Sequence, residues 1–130
     1  MRIEFPPPKV ILAVEDNEAN RMLMQVVLEG FGYVVRLASS ASEALASIER
    51  QRPDLILMDV QLPGEDGLAL TRLLKADRAT VTIPIIAITA HAMASDRELC
   101  LDAGCIGYIA KPFDTRTLGA QIQEFLKPAS

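Results

Sequence analysis

Leu55-Ile56-Leu57-Met58-Asp59-Val60 is the stretch on which the reading of this chain turns. Four apolar residues run straight into a carboxylate, and Pro63, Gly64 and Gly67 follow shortly after. An unbroken apolar run bounded by turn residues fits a strand buried on both faces of a parallel sheet. Asp is depleted in strand interiors, so Asp59 is expected where the strand ends. In open α/β sheets, ligands bind at the carboxyl edge of the strands. Asp59 is thus either a strand terminator or a reacting group, and the surrounding chain must decide.

Upstream, Val10 to Val14 is a first apolar run that ends at the acid pair Glu15-Asp16, with Asn17 placed to cap a helix. That helix is expected to run to about Glu29, with Leu23, Val26 and Val27 at helical spacing and Gly30 or Gly32 as its stop. Tyr33 to Ala38 reads as a second strand. Ser40 or Ser42 opens a helix whose Ala41, Ala44, Leu45 and Ile48 share a face, ended before Pro53. Downstream, a Pro/Gly-rich loop leads to a helix from about Leu68 to Lys75 with Leu70, Leu73 and Leu74 inward. Ile83 to Ile88 is a fourth strand with Pro84 at its start, closed by Thr89. A helix from about Ala94 to Ala103 ends at Gly104. Ile106 to Ala110 is a short fifth strand ended by Lys111-Pro112, and a last helix covers about Thr115 to Leu126 with Leu118, Ile122, Phe125 and Leu126 on one face.

Five alternating strand–helix units predict a parallel sheet with helices on both faces and right-handed crossovers. The length favours a flavodoxin-like (βα)5 doubly wound sheet of order 2-1-3-4-5 over a barrel, which needs eight units. Residues 1–8, ending in Pro6-Pro7-Pro8, read as a Pro-rich tail, 9–127 as a single domain, and 128–130 as a C-terminal tail.

Composition narrows the function. The 130 residues are half apolar and carry a formal net charge of −4, so there is no basic footprint for nucleic acid. No apolar run approaches the roughly 18 residues of a membrane span, and Met1-Arg2-Ile3-Glu4 is no signal peptide. The chain reads as soluble and cytoplasmic. Cys100 and Cys105 lack metal-site spacing and fit small, reduced, partly buried residues.

The strand ends carry the chemistry. Strand one delivers Glu15 and Asp16, strand three Asp59, strand four Thr89 and strand five Lys111. In the order 2-1-3-4-5, strands one and three are neighbours at the switch point, so three carboxylates converge. Such a cluster repels itself unless a cation intervenes. Lys111 offsets one charge; a hard divalent cation, Mg²⁺ or alternatively Mn²⁺, offsets the rest. Asp16 and Asp59 suit direct contact with the metal and Glu15 contact through water, with the Gln61 carbonyl within chain reach. With the metal bound, Asp59 is a nucleophile able to take a phosphoryl group. Mg²⁺, the Lys111 ammonium and the Thr89 hydroxyl are the partners a transferring phosphoryl group requires.

Val14-Glu15-Asp16-Asn17, Leu57-Met58-Asp59-Val60-Gln61-Leu62-Pro63, Ile88-Thr89-Ala90 and Ala110-Lys111-Pro112-Phe113, in this order and at these intervals, resemble the response-regulator receiver domains of two-component signalling. The resemblance covers about residues 9 to 127. It implies a phosphoacceptor at Asp59, Mg²⁺ held by Glu15, Asp16, Asp59 and the Gln61 carbonyl, and phosphate contacts from Thr89 and Lys111. It also implies a cis peptide between Lys111 and Pro112, and a switch in which Thr89 is recruited to phosphate and Tyr108 turns inward. The donor it implies is the phosphohistidine of a histidine kinase or histidine phosphotransfer protein. Its output is a changed affinity for a downstream protein target through strand four, the following helix, strand five and the last helix. Residues 89 to 93 and 103 to 105 are similar to receivers of hybrid histidine kinases and to stand-alone receivers of the DivK group; His91 carries no assigned role.

Two other classes fit less well. A haloacid-dehalogenase-type Mg²⁺-dependent phosphatase needs a second acid two residues after the nucleophile, where this chain has Gln61. A flavodoxin-like cofactor binder needs a phosphate-cradling loop after strand one, where Glu15-Asp16 would repel phosphate. The expected protein is a switch that turns over no external substrate.

Overall fold

The computed structural model describes residues 7–62, 64–90 and 94–126. The expectations for His91, Pro63, most of the N-terminal tail and the last four residues lie outside these. The strands of the main sheet are β1 (Val10–Val14), β2 (Val34–Ala38), β3 (Leu55–Asp59), β4 (Ile85–Thr89) and β5 (Gly107–Ala110). The helices are α1 (Glu18–Gly30), α2 (Ala41–Arg50), α3 (Gly67–Ala76), α4 (Ala94–Ala103) and α5 (Leu118–Leu126). All sheet pairings are parallel, in the order β2-β1-β3-β4-β5. The doubly wound fold is as the sequence predicts. An antiparallel ribbon, Gln61–Leu62 against Glu65–Asp66, adds to it between β3 and α3. Two-residue strands carry no periodicity, so this ribbon leaves no sequence signal.

Strands β1, β3 and β4 are buried along their whole length, which explains their unbroken apolar runs. Alternate residues feed two cores. Ile11, Leu55, Leu57, Ile86 and Ile88 pack with Met24 and Leu28 of α1 and Leu118 and Ile122 of α5. Leu12, Ile56, Met58, Ile85 and Ala87 pack with Leu70 and Leu74 of α3 and Cys100 and Ala103 of α4. Each fully buried Leu or Ile contributes roughly 1.5–3 kcal/mol relative to exposure.

Helix starts follow their caps. The Asn17 side chain accepts from the Asn20 amide at 3.0 Å, and Ser40 accepts from the Glu43 amide at 3.2 Å. Asp66 accepts from the Leu68 amide and opens α3 one residue before the expected start. Gly32, at φ +88°, closes α1: the Tyr33 amide donates back to the Leu28 carbonyl. The last helix begins at Leu118, because the amides of Thr117 and Leu118 both donate to the Asp114 carbonyl and wind residues 115–117 into a turn. Ile83 and Pro84 precede β4 rather than open it; the Ile83 amide donates to the Thr80 carbonyl in a turn, although its side chain is buried.

Three helix faces differ from expectation. On α1 the buried pair is Met24 and Leu28 with Val27 beside it, and Leu23 and Val26 are exposed. On α2, Ala44 and Ser47 are buried, Ala41 and Ile48 pack partly, and Leu45 faces out. On α3, Leu68, Leu70 and Leu74 are inward and Leu73 is outward. Each helix carries more apolar residues than the sheet can cover, so periodicity alone cannot select the inner stripe.

Candidate acidic site at the carboxyl rim

The sheet register brings the expected groups to one rim. Ile11 to Val14 pair with Leu55 to Met58, so Glu15 and Asp59 both stand just past the end of that pairing. Asp59 lies opposite Ile88, one residue before Thr89, and Thr89 pairs with Ala110, one residue before Lys111. The Lys111 amide donates to the Thr89 carbonyl at 2.7 Å, which locks the fifth strand's end to the fourth's.

Ligand oxygens of Glu15, Asp16 and Asp59 come within 4.8 Å of one another. Glu15 and Asp59 are buried, at 0 % and 2 % exposure, while Asp16 stands exposed at the mouth. Lys111 spans the buried pair: Nζ lies 2.9 Å and 3.0 Å from the two Glu15 oxygens and 2.9 Å from Asp59 Oδ2. Asp59 Oδ1 accepts from the Gln61 amide at 2.9 Å, so both carboxylate oxygens are held. The Lys111–Pro112 peptide is cis, as expected.

One ammonium does not balance this cluster. Burial, reinforced by the neighbouring Asp59, pushes the Glu15 carboxyl up to about 7, against the opposing pull of Asn20 and Lys111. Burial draws the Lys111 ammonium down, but its hydrogen bonds and charge contacts with Asp59 and Glu15 outweigh that and leave its pKa above the ordinary value. A buried carboxyl near neutrality beside two others is the signature of a site short of positive charge. Oxygen-only donors at this spacing suit a hard divalent cation.

Thr89 is 4 % exposed and lines a cavity of about 420 Å³ with Val60, Asp66, Leu99 and Cys100, on the side of the rim facing α4. Tyr108 stands farther along β5. Its half-buried ring packs on the α4-side core, with the Arg97 guanidinium 4.9 Å from the ring centroid. The rim therefore gathers Glu15, Asp16, Asp59, Lys111 and the Gln61 amide, with Thr89 beside them and Tyr108 set back.

Three further residues shape the site: Asn20 and Arg21 were not singled out in the sequence, and Gly67 was quoted there only as a turn residue. Asn20 Nδ2 donates to Glu15 Oε1 at 2.6 Å. Arg21 Nη1 donates to the carbonyls of Glu15 and Asp16, at 2.9 and 2.7 Å, and so pins the acid pair from the first turns of α1. Gly67 brings α3 against the end of β3, where an added Cβ would lie 2.0 Å from the Asp59 carbonyl oxygen. Of the three, only Gly67 carried a sequence signal, as a turn residue between the strand and the helix expected from about Leu68.

Comparison with known proteins bears on this geometry. The family profile described as response regulator receiver domain matches residues 11–123. The chain belongs to the response regulator receiver domains. This receiver is 42 % identical over 122 residues to the polar-differentiation response regulator DivK of Brucella anthropi, covering 94 % of this chain and 99 % of that protein. Among solved structures, it is similar to the receiver domain of the sensor histidine kinase PA1611 of Pseudomonas aeruginosa, which has a magnesium ion coordinated in its active-site cleft. The identity there is 44 %, the TM-score 0.80, and the coverage 90 % of this chain and 96 % of that one. The chemotaxis response regulator CheY4 of Vibrio cholerae matches with TM-score 0.86 at 28 % identity, over 92 % of this chain and 99 % of that one.

Proposed function

We propose that this receiver is a phosphoacceptor switch in which Asp59 takes the phosphoryl group of a partner's phosphohistidine. The observation that carries this reading is the Lys111 ammonium, held at 2.9 Å from Asp59 and 2.9–3.0 Å from buried Glu15 in a cluster of three carboxylates. A terminator aspartate needs none of these neighbours. In the transfer, an Asp59 carboxylate oxygen forms a bond to phosphorus as the phosphorus–nitrogen bond breaks, and the imidazole leaves with the electron pair.

The chain's own groups do the positioning. The Gln61 amide fixes one Asp59 oxygen, and Lys111 stands where negative charge arrives. Thr89, at the adjacent strand end, supplies a hydroxyl for a phosphoryl oxygen. Glu15, Asp16 and Asp59, with the Gln61 carbonyl, would hold Mg²⁺ or Mn²⁺. That cation, when bound, neutralises charge on the phosphoryl oxygens. The magnesium in the cleft of the 44 % identical PA1611 receiver supports the same assignment here.

The donor, a histidine kinase or histidine phosphotransfer protein, docks beside the site. Exposed Leu23 on α1 flanks a small recess with Asn20, Pro112 and Phe113 next to Lys111, and Val26 is exposed one turn on. The response runs through α4, β5 and α5 to a downstream protein. Leu101 is exposed on α4 one turn from Arg97, and Tyr108 is poised under Arg97 to change its packing when Thr89 moves. Among the described residues no helix is long and apolar enough to cross a membrane, and the acidic balance favours no nucleic acid, which together support cytoplasmic protein–protein signalling. No external substrate is turned over. A haloacid-dehalogenase-type phosphatase would need an acid at position 61, where Gln61 contributes its amide.

The test is phosphotransfer from a phosphorylated histidine phosphotransfer protein, read by intact mass with Mg²⁺ and with chelator. Wild type gains one phosphoryl group only with Mg²⁺, and Asp59→Asn gains none. An unchanged gain in the variant would overturn the assignment. Lys111→Ala and Tyr108→Ala, assayed for partner affinity after phosphorylation, separate acceptance from response.

A further inference from the structure

The opposite end of the sheet, where α2 and α3 terminate, carries a second built feature. An open groove of about 1060 Å³ runs between the two helices. Leu45, at 37 % exposure, and Leu73, at 56 %, line it together with half-buried Ile48. Leu45 and Leu73 are, with Leu23 of α1, leucines whose spacing points to the core but which the fold leaves outside. Arg50, Arg52 and Arg78 line the same groove, and none of the three makes a salt bridge among the described residues. Its two acids, Glu49 and Asp77, offset two of the three positive charges and leave the lining formally +1; one Asp77 oxygen also accepts from the Ala79 amide at 2.9 Å.

The groove is also preformed. Arg52 donates to the Ala79 carbonyl at 3.2 Å and to the Thr82 hydroxyl, tying the loop after α2 to the loop after α3. Lys75 Nζ donates to the carbonyls of Val81 and Ile83, at 3.0 and 2.6 Å, and the Thr80 hydroxyl donates to the Leu74 carbonyl at 2.5 Å. Such cross-ties reduce the ordering cost of binding. The volume exceeds most small-molecule pockets, and no aromatic lines it to stack a base or ring.

We propose that this groove docks an amphipathic helix of a partner protein, one whose apolar stripe is flanked by glutamate or aspartate. The leucines supply the apolar floor for residues at i, i+3, i+4 and i+7. The arginines supply a positive rim on a molecule whose net charge is −4, so an acidic helix finds local complementarity against the overall field. The site lies at the helix C-termini, at the far end of the sheet from Asp59, and so serves a contact separate from phosphoryl transfer.

The experiment uses the full chain, ¹⁵N-labelled, titrated with a synthetic helical peptide carrying leucines at those spacings between glutamates. A second peptide replaces each glutamate with lysine. The expected result is that the glutamate peptide shifts amide signals of residues 45–52 and 73–80, with the lysine peptide at least about tenfold weaker. Arg50→Glu/Arg78→Glu and, separately, Leu73→Ser weaken the glutamate peptide about tenfold while phosphorylation from a small donor stays at wild-type extent. Equal or tighter binding of the lysine peptide overturns the proposal, as do shifts confined to α1 or α4, or unchanged affinity in both variants. Concentration-dependent self-association through the same residues without peptide would assign the groove to a second copy instead and equally overturn it.

Discussion

The two ends of this sheet handle charge in opposite ways. At the carboxyl rim, Glu15 and Asp59 are buried with Lys111 between them, and the conflict pushes Glu15 up to about 7. At the far end, Arg50, Arg52 and Arg78 stand in solvent around exposed leucines, without salt bridges among the described residues. Buried charges are strongly coupled and costly, whereas exposed ones are screened and contribute little to stability. At the rim, a divalent cation would relieve the repulsion that keeps Glu15 near neutrality, whereas the far end holds only a surface preference that the proposed partner helix would read.

The contrast can be broken most severely at Gly67. Gly67→Ala places a Cβ against the Asp59 carbonyl oxygen, and we expect a loss of about 3 kcal/mol in urea unfolding together with reduced phosphorylation. Unchanged stability would show that the β3–α3 approach is looser than described.

A second test is the pH dependence of the metal-free protein. The folded-state pKa of Glu15 is raised from 4.5 to about 7, so its contribution is fully present below about 4.5 and is lost as pH rises through about 7. Stability measured in chelator should fall across that window by an amount on the order of 2–3 kcal/mol, and Glu15→Gln should flatten the slope and raise stability at pH 8. Added Mg²⁺ should restore wild type more than the variant. A flat wild-type profile would contradict the buried conflict.

Smaller effects sharpen the comparison. Asn17→Ala, which removes the cap of α1 beneath the acid pair, should cost about 1 kcal/mol. At the far end, Leu73→Ser and Arg50→Ala should each stay within about 0.5 kcal/mol of wild type by the same measurement. Larger losses there would mean that these side chains serve the fold rather than a partner.

Much of this was legible in the sequence, for identifiable reasons. Strands β1, β3 and β4 are buried on both faces, so their apolar runs are unbroken and their ends fall at Glu15, Asp59 and Thr89. Alternation with capped helices predicts a doubly wound parallel sheet, the length favours the observed order, and that order brings the acids together. The helices were less legible. Leu23, Leu45 and Leu73 share helical spacing with true core residues, and only the packed sheet decides which stripe it covers. Asn20 and Arg21 escaped notice because polar side chains in a helix's first turns are ordinary until their targets, Glu15 and the acid-pair carbonyls, are located in space. The ribbon at Gln61–Leu62 and Glu65–Asp66 is too short to leave a pattern.

The central claim is that Asp59 is the residue that carries the phosphoryl group. Borohydride reduction of the phosphorylated protein, followed by peptide mass mapping, converts an acyl phosphate to the corresponding alcohol and so marks the acceptor. The account predicts homoserine at position 59 and unmodified Asp16 and Glu15. Reduction at Asp16 or Glu15, or phosphoryl on a hydroxyl that borohydride leaves untouched, would contradict it.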